Sequence, residues 1–220
     1  MDLQIISTLL TTFPKIQSSV VEPVPEHIAI YKDNVKMANY SSIRWDWHQM
    51  TWQEYYGTGA LKTKKFHFIT AIHVMYYFED LEATVHQLLD SLVDGGILFM
   101  IIRAERPQDL EFVDRFAVLG TNIFSEYNAA TITKMLQRLH IKYDSIRVRS
   151  SVDITACFDK NDQEGQLLLD FIMQTIGFQD AFPAEIVKDV LQCFRSSQFS
   201  EKVEEKVLLR NDWEAIIVSK

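Results

Sequence analysis

The chain has 220 residues, of which 47% are hydrophobic, enough for one sizeable core and short for two independent domains. Lys and Arg number 22 against 30 Asp and Glu, and the net charge of −8 excludes a nucleic-acid surface while drawing weakly on cationic small molecules. The two cysteines, Cys157 and Cys193, form no close pair, which speaks against a disulfide scaffold and a Cys-type zinc site and fits a reducing cytoplasmic compartment.

The apolar opening Leu3–Phe13 follows Asp2 instead of a basic segment and lacks a small-residue cleavage pattern, so it reads as an amphipathic helix, not a signal peptide. Leu3, Ile6, Leu9, Leu10 and Phe13 recur at helical spacing and stop at Pro14. Ser18–Val21 reads as a short strand. Pro25 starts a helix running to about Ala38, with Ile28, Tyr31, Val35 and Met37 on its apolar side. Ile43, Trp45 and Trp47 alternate with polar residues and mark the next strand. Phe66–Ile72 is mostly apolar, and Asp80–Leu92 is helical in pattern. Asp94-Gly95-Gly96 is expected to make a turn into Ile97–Ile102, a buried parallel strand. Asn128 caps a helix to Leu139, and Lys142–Val148 is again strand. Helices at Gln166–Ile176 and Pro183–Phe194 precede strands at about Lys206–Leu209 and Ala215–Val218, expected as an antiparallel closing pair. This order predicts an α/β fold, a doubly wound, mostly parallel Rossmann-like sheet with helices on both faces. No apolar run approaches the roughly 20 residues of a membrane span.

Several residues could carry chemistry. Glu22 directly follows the first strand, where an acidic side chain can accept ribose hydroxyls of an adenosine ligand; a solvated turn carboxylate is the equally weighted alternative. Thr51-Trp52 and Ile72-His73 would share the carboxyl edge of the sheet, where open α/β sheets bind ligands. His73, Tyr76 and Tyr77 bring an imidazole and two phenols to a strand end, able to wall a flat cationic ligand or simply to rim the core. His67 and His73 share a strand face with no nearby Cys or third His, so no metal is expected. Cys157 has no base beside it and reads as a buried structural thiol. No Gly-x-Ser-x-Gly turn supports a serine hydrolase, and 7 glycines supply no Gly-rich phosphate or dinucleotide loop.

Asp2–Ile6, Val20-Val21-Glu22-Pro23 with Glu26 and Ile28-Ala29, Trp47-His48, Phe68-Ile69, Met75-Tyr76-Tyr77, Ala83-Thr84, Ser151–Ile154 with Cys157-Phe158, Asp170-Phe171 and Lys206-Val207-Leu208 form a collinear set across nearly the whole chain. In that order and spacing the sequence resembles the histamine N-methyltransferase family of class I methyltransferases. The resemblance implies a single domain over residues 1–220. Residues to about 148 would form a core for S-adenosylmethionine, and residues 149–220 substrate-side helices and terminal strands. It implies methyl transfer to an amine-bearing small molecule, a monomer, and a cytoplasmic location. On the cofactor side it assigns Glu22 to the ribose, Ile72 to the adenine, Thr51 to the matching loop and His27 to a position held by glutamine in the family. On the substrate side it assigns Tyr76, Tyr77 and Phe171 to aromatic walls, Asn211 to a ligand-binding amide and His73 to a substrate-holding glutamine's place.

The sequence departs from the family at further points. Trp52 replaces a serine, the tryptophans expected near Asp109–Phe112 are absent, and Phe124 stands at a pocket cysteine position. These changes extend the expected acceptors to other imidazole or arylalkyl amines. The resemblance also begins inside the helix after the family's Gly-rich loop, so a central strand and that loop are expected to be missing between strands that would flank them. An amine-binding protein without donor site is the rival reading, and a nicotinamide-dependent oxidoreductase a third.

Overall fold

Some helices of this chain start at a residue that caps their first N–H groups, others at a proline that lacks the N–H. In the computed structural model, which describes residues 2–40, 42–119 and 127–220, helix α2 (Pro25–Ala38) opens on Pro25 and ends at Asn39, which turns left-handed at φ 51. Helix α3 (Trp52–Gly57) is started by a capping box in which Thr51 and Glu54 exchange hydrogen bonds. Asn128 caps α6 (Ala129–Arg138) by accepting from Thr131 N, as expected from its sequence position. No described helix is long and apolar enough to cross a membrane.

The chain folds into two compact bodies. One comprises residues 1–70, 82–96 and 220, the other residues 71–81 and 97–219.

In the first body, helix α1 (Asp2–Leu10) is shorter than its apolar spacing predicts, and the chain turns at Thr11 and Thr12. The Thr11 hydroxyl donates to the Thr8 carbonyl at 2.7 Å, a local bond that competes with continued helix and leaves Phe13 exposed. Strand β1 (Ile16–Val21) pairs in parallel with β2 (Ile43–His48), from Ile16 opposite Ile43 to Val21 opposite His48. Trp45 and Trp47 stack with centroids 5.4 Å apart, and Tyr31 of α2 meets both edge-on. Lys64 Nζ reaches Ser19 Oγ and Asp46 Oδ2 at 2.8 and 3.0 Å, tying the approach to β3 (Phe66–Ile72) onto the β1–β2 pair. Helix α4 (Leu81–Asp90) follows, and Gln87 on it accepts from the Trp52 indole at 3.0 Å.

Strand β3 begins with Phe66 N donating to Ser91 O, and His73 just past its end donates to Ile101 O. Its neighbour β4 (Leu92–Arg103) therefore runs parallel to it. The expected turn at Asp94-Gly95-Gly96 does not form, because β4 already starts at Leu92. Gly95, at φ 76, donates to the Lys220 carbonyl, and Lys220 N donates back to Gly96, so the glycines bend a strand instead of ending one.

In the second body β4 pairs antiparallel with β9 (Trp213–Ser219), which pairs antiparallel with β5 (Asp144–Val148). The strand order is β3-β4-β9-β5, separate from β1-β2. Two parallel pairs and an antiparallel final strand make this a mixed α/β fold of Rossmann-like type. The expected closing pair is corrected. Strand β8 (Lys206–Arg210) does not pair with β9 but lies between β6 (Ser151–Asp153) and β7 (Ser200–Val203) in a sheet of its own. Ala104 N takes the Asp212 carbonyl between β8 and β9, so the chain crosses from one sheet to the other there.

The core of this body gathers Phe112 of α5 (Pro107–Arg115), Leu169 and Met173 of α7 (Gln163–Met173), Phe178 of α8 (Phe178–Ala181) and Phe194 of α9 (Ala184–Arg195), with Phe199 and Leu209. Phe112 and Phe194 stack with centroids 5.4 Å apart. Asp170 accepts from the N–H groups of Gly177 and Phe178 at 2.6 and 2.9 Å, fixing α7 to α8.

Candidate functional site

In the first body the parallel pairing carries β1 to its carboxyl end at Val21, and Glu22 N continues the ladder by donating to the His48 carbonyl at 3.1 Å. The Glu22 carboxylate then folds over the start of α2. Its Oε1 accepts from Val24 N at 3.0 Å and lies 3.3 Å from His27 Nδ1. Its Oε2 has no partner among the described residues. Glu22 and His27, the first two residues expected on the cofactor side, are thus in contact, and one carboxylate oxygen is left for a hydroxyl donor.

Thr51 is committed differently. Its backbone N–H and its hydroxyl both donate to Glu54 Oε2, at 2.7 and 2.9 Å, and these bonds hold the Glu54 carboxyl below its ordinary pKa. The Thr51 hydroxyl also accepts from Glu54 N, so this residue starts a helix and has little left to offer a ligand.

The second body holds the remaining residues. Ile72 ends β3, and His73 turns left-handed at φ 51, a conformation histidine adopts more readily than branched residues, held by its N–H bond to Ile101 O at 2.8 Å. That turn lays the imidazole over the Tyr76 ring, 6.4 Å between centroids and 10° between planes, with Nδ1 3.3 Å from the phenol oxygen. Partial burial pushes the His73 pKa down and the Tyr76 pKa up, so both rings are neutral near pH 7. Tyr77 meets Tyr76 edge-on at 6.3 Å and is 81% exposed.

The segment Arg103–Arg106 connects this aromatic group to Asn211. Arg103 N donates to the Tyr76 phenol at 2.8 Å, Ala104 N to the Asp212 carbonyl at 3.0 Å, and Arg106 Nη1 to the Arg210 carbonyl. Asn211 is exposed between the two tethered carbonyls, and its own N–H donates to Ser150 O. Beneath the segment, Arg106 grips both oxygens of Asp109 at 3.1 and 2.7 Å, and Arg103 reaches the same carboxylate. Both Arg106 and Asp109 are buried. Sequence reasoning missed this three-residue brace; Pro107 at the first position of α5 was the only local signal. Phe171 stands 72% exposed on α7 and makes no ring contact among the described residues. Phe124 lies outside the described residues.

The structure therefore joins Glu22 with His27, and His73, Tyr76 and Tyr77 with the segment that tethers both neighbours of Asn211. The arrangement offers a free carboxylate oxygen at one strand end and a neutral, partly exposed aromatic group at another. Such parts can orient an adenosine ribose and a flat amine, and they include no activated nucleophile.

A family model for the methyltransferase domain matches residues 7–145. Histamine N-methyltransferase of Bos taurus is 31% identical over 226 aligned residues, covering 99% of this chain and 77% of that protein. The Mus musculus histamine N-methyltransferase is 30% identical, covering 99% of this chain and 76% of the mouse protein. The YcgJ protein of Bacillus subtilis shares the fold with a TM-score of 0.55 at 14% identity, over 92% of this chain and 81% of its own. A candidate methyltransferase of Bacillus halodurans does so at 0.54 and 12%, over 93% and 83%. Sequence likeness along almost the whole chain, on an architecture shared with these structures, shows that the chain belongs to the histamine N-methyltransferase family of class I, S-adenosylmethionine-dependent methyltransferases.

Proposed function

We propose that this protein transfers the methyl group of S-adenosylmethionine to a nitrogen of a small imidazole- or aryl-bearing amine, of which histamine is one member. The observation that carries the reading is the collinear likeness to histamine N-methyltransferases over 99% of the chain. The unpartnered Glu22 Oε2 supports it at residue level, since a ribose hydroxyl would satisfy that oxygen. Residues to about 148 then serve the cofactor, and residues 149–220 supply substrate-side elements.

When bound, the sulfonium cofactor supplies an already activated methyl group, so the residues around it need only bind and align. Glu22 accepts from the ribose, with His27 beside it, Thr51 fixes the start of α3, and Ile72 gives the adenine an apolar contact. His73, Tyr76, Tyr77 and Phe171 present ring faces and edges to a flat acceptor, and the Asn211 amide supplies hydrogen bonds. A neutral His73 adds no charge that would repel a protonated amine.

The test is a cofactor titration by calorimetry followed by mass spectrometry of acceptors incubated with cofactor. Glu22→Gln is expected to weaken cofactor binding about tenfold, through loss of a charge-assisted bond to the ribose. Wild-type protein that takes up no cofactor at millimolar concentration would refute the reading. Amine binding indifferent to cofactor would instead identify an amine-binding protein.

A further inference from the structure

The second body contains a cleft of about 450 Å³ to which none of the donor- or acceptor-site residues contributes. Four arginines line it, Arg106, Arg147, Arg149 and Arg210, together with the acidic residues Glu201 and Asp212. In a chain with a net charge of −8 this is an unusual concentration of positive charge.

Two of the four arginines are held in place. Arg106 is fixed by Asp109 and by the Arg210 carbonyl. Arg147 leans on Asp212 Oδ2 through Nε and Nη2, at 3.3 and 3.2 Å, while the other oxygen of Asp212 accepts from Ser150 N. Arg149 and Arg210 make no ion pair among the described residues. They come from different elements: Arg149 from the link between β5 and β6, and Arg210 from the end of β8, where it is paired with Ser151 across the ladder. Positive charges lining one cleft repel one another, and an anion bound in the cleft would relieve the repulsion.

We propose that this cleft binds a phosphomonoester of metabolite size. A phosphomonoester carries about −1.5 to −2 charges at neutral pH, and Arg149 and Arg210 set two positive charges against it, with Glu201 the one lining carboxylate outside an ion pair among the described residues. The planar arginine fork bonds two phosphate oxygens at once, which lysine cannot do. The volume lies within the ~300–1,000 Å³ of small-molecule sites and leaves room for the group that bears the phosphate. A long polyanion is disfavoured by the acidic remainder of the chain, and a single carboxylate leaves one guanidinium unmatched.

The test uses the full chain at constant ionic strength, titrated with glycerol 3-phosphate, inorganic phosphate, succinate and glycerol, with heat and the 31P linewidth as readouts. Saturable binding of glycerol 3-phosphate with a Kd below about 1 mM is expected. Inorganic phosphate should bind more weakly, succinate weaker still, and glycerol not at all. Arg149→Gln and Arg210→Gln should each weaken binding about tenfold or more, and Arg149→Lys by less, because the charge remains while the fork is lost. Lys202→Gln on β7, outside the cleft, should leave binding unchanged. If a glutamine variant fails to fold, Arg149→Lys and the phosphate dependence of the wild-type melting temperature still decide the matter. No saturation by about 10 mM, equal affinity for succinate, or indifference to Arg149→Lys and Arg149→Gln would overturn the proposal. Methyl transfer is not involved in these readouts, so their outcome is independent of the proposed activity.

Discussion

At the scale of single residues, His73 carries the most information. It ends a strand in a left-handed turn, stacks on Tyr76, and is pushed toward its neutral form by partial burial. The folded state thus binds a proton at His73 less readily than the unfolded chain does. The stability this contributes is complete above the ordinary imidazole value of about 6.5 and is lost as pH falls through that value toward the lower folded one. NMR titration should place the His73 midpoint below 6.5, and a midpoint above it would show that the ring instead gains from protonation. Cys157 provides a second check. Burial pushes its thiol up to about 11, and only 1% of the residue is exposed. Iodoacetamide at pH 8 should therefore modify the partly exposed Cys193 well before Cys157, with Cys157 reacting only on unfolding. Mass spectrometry of the labelled peptides reads this directly, and rapid labelling of Cys157 would contradict its packing.

At the scale of elements, much of the chain was legible because local signals were strong. Pro25 marks the start of α2, Asn128 caps α6, and the apolar run of β3 has the bounds expected of it. Elements defined by distant partners were not legible. Strands β6 and β7 have three and four residues and exist because β8 lies between them, a pairing no local pattern encodes. Only Asn211 and Asp212 separate β8 from β9, which suggests a hairpin, yet β9 is drawn between β4 and β5. The candidate site divides in the same way. The approach of Glu22 to His27 follows from five residues of separation around a helix start, whereas the Arg103–Asp109–Arg106 brace needed the fold to be seen. Close packing at one element yields a sharp prediction. A Cβ on Gly165 would stand 2.1 Å from the Ala156 carbonyl oxygen, a backbone atom that cannot rotate away. Gly165→Ala should cost about 3 kcal/mol by forcing α7 off the turn at Thr155–Phe158, seen as a lower urea midpoint with unchanged slope.

At the scale of the whole molecule, the division of strands into a β1-β2 pair and a β3-β4-β9-β5 sheet has a measurable consequence. In a parallel ladder a residue's N–H and C=O face one neighbour, and those of the next residue face the other side. Glu22 N points to β2, so the N–H groups of Ser18 and Val20 do as well, while those of Gln17, Ser19 and Val21 face the opposite edge. None of these three has a hydrogen-bond acceptor among the described residues. Amide exchange in the intact chain should therefore alternate along β1, with Gln17, Ser19 and Val21 exchanging about a hundredfold faster than Ser18, Val20 and Glu22. Uniform fast exchange would mean that the β1–β2 pair opens as a unit. Uniform protection would mean that the second edge of β1 is also hydrogen-bonded, against its one-sided pairing with β2. The alternating pattern alone matches a β1 strand whose ladder partner is β2 on one side and whose other edge carries no acceptor among the described residues.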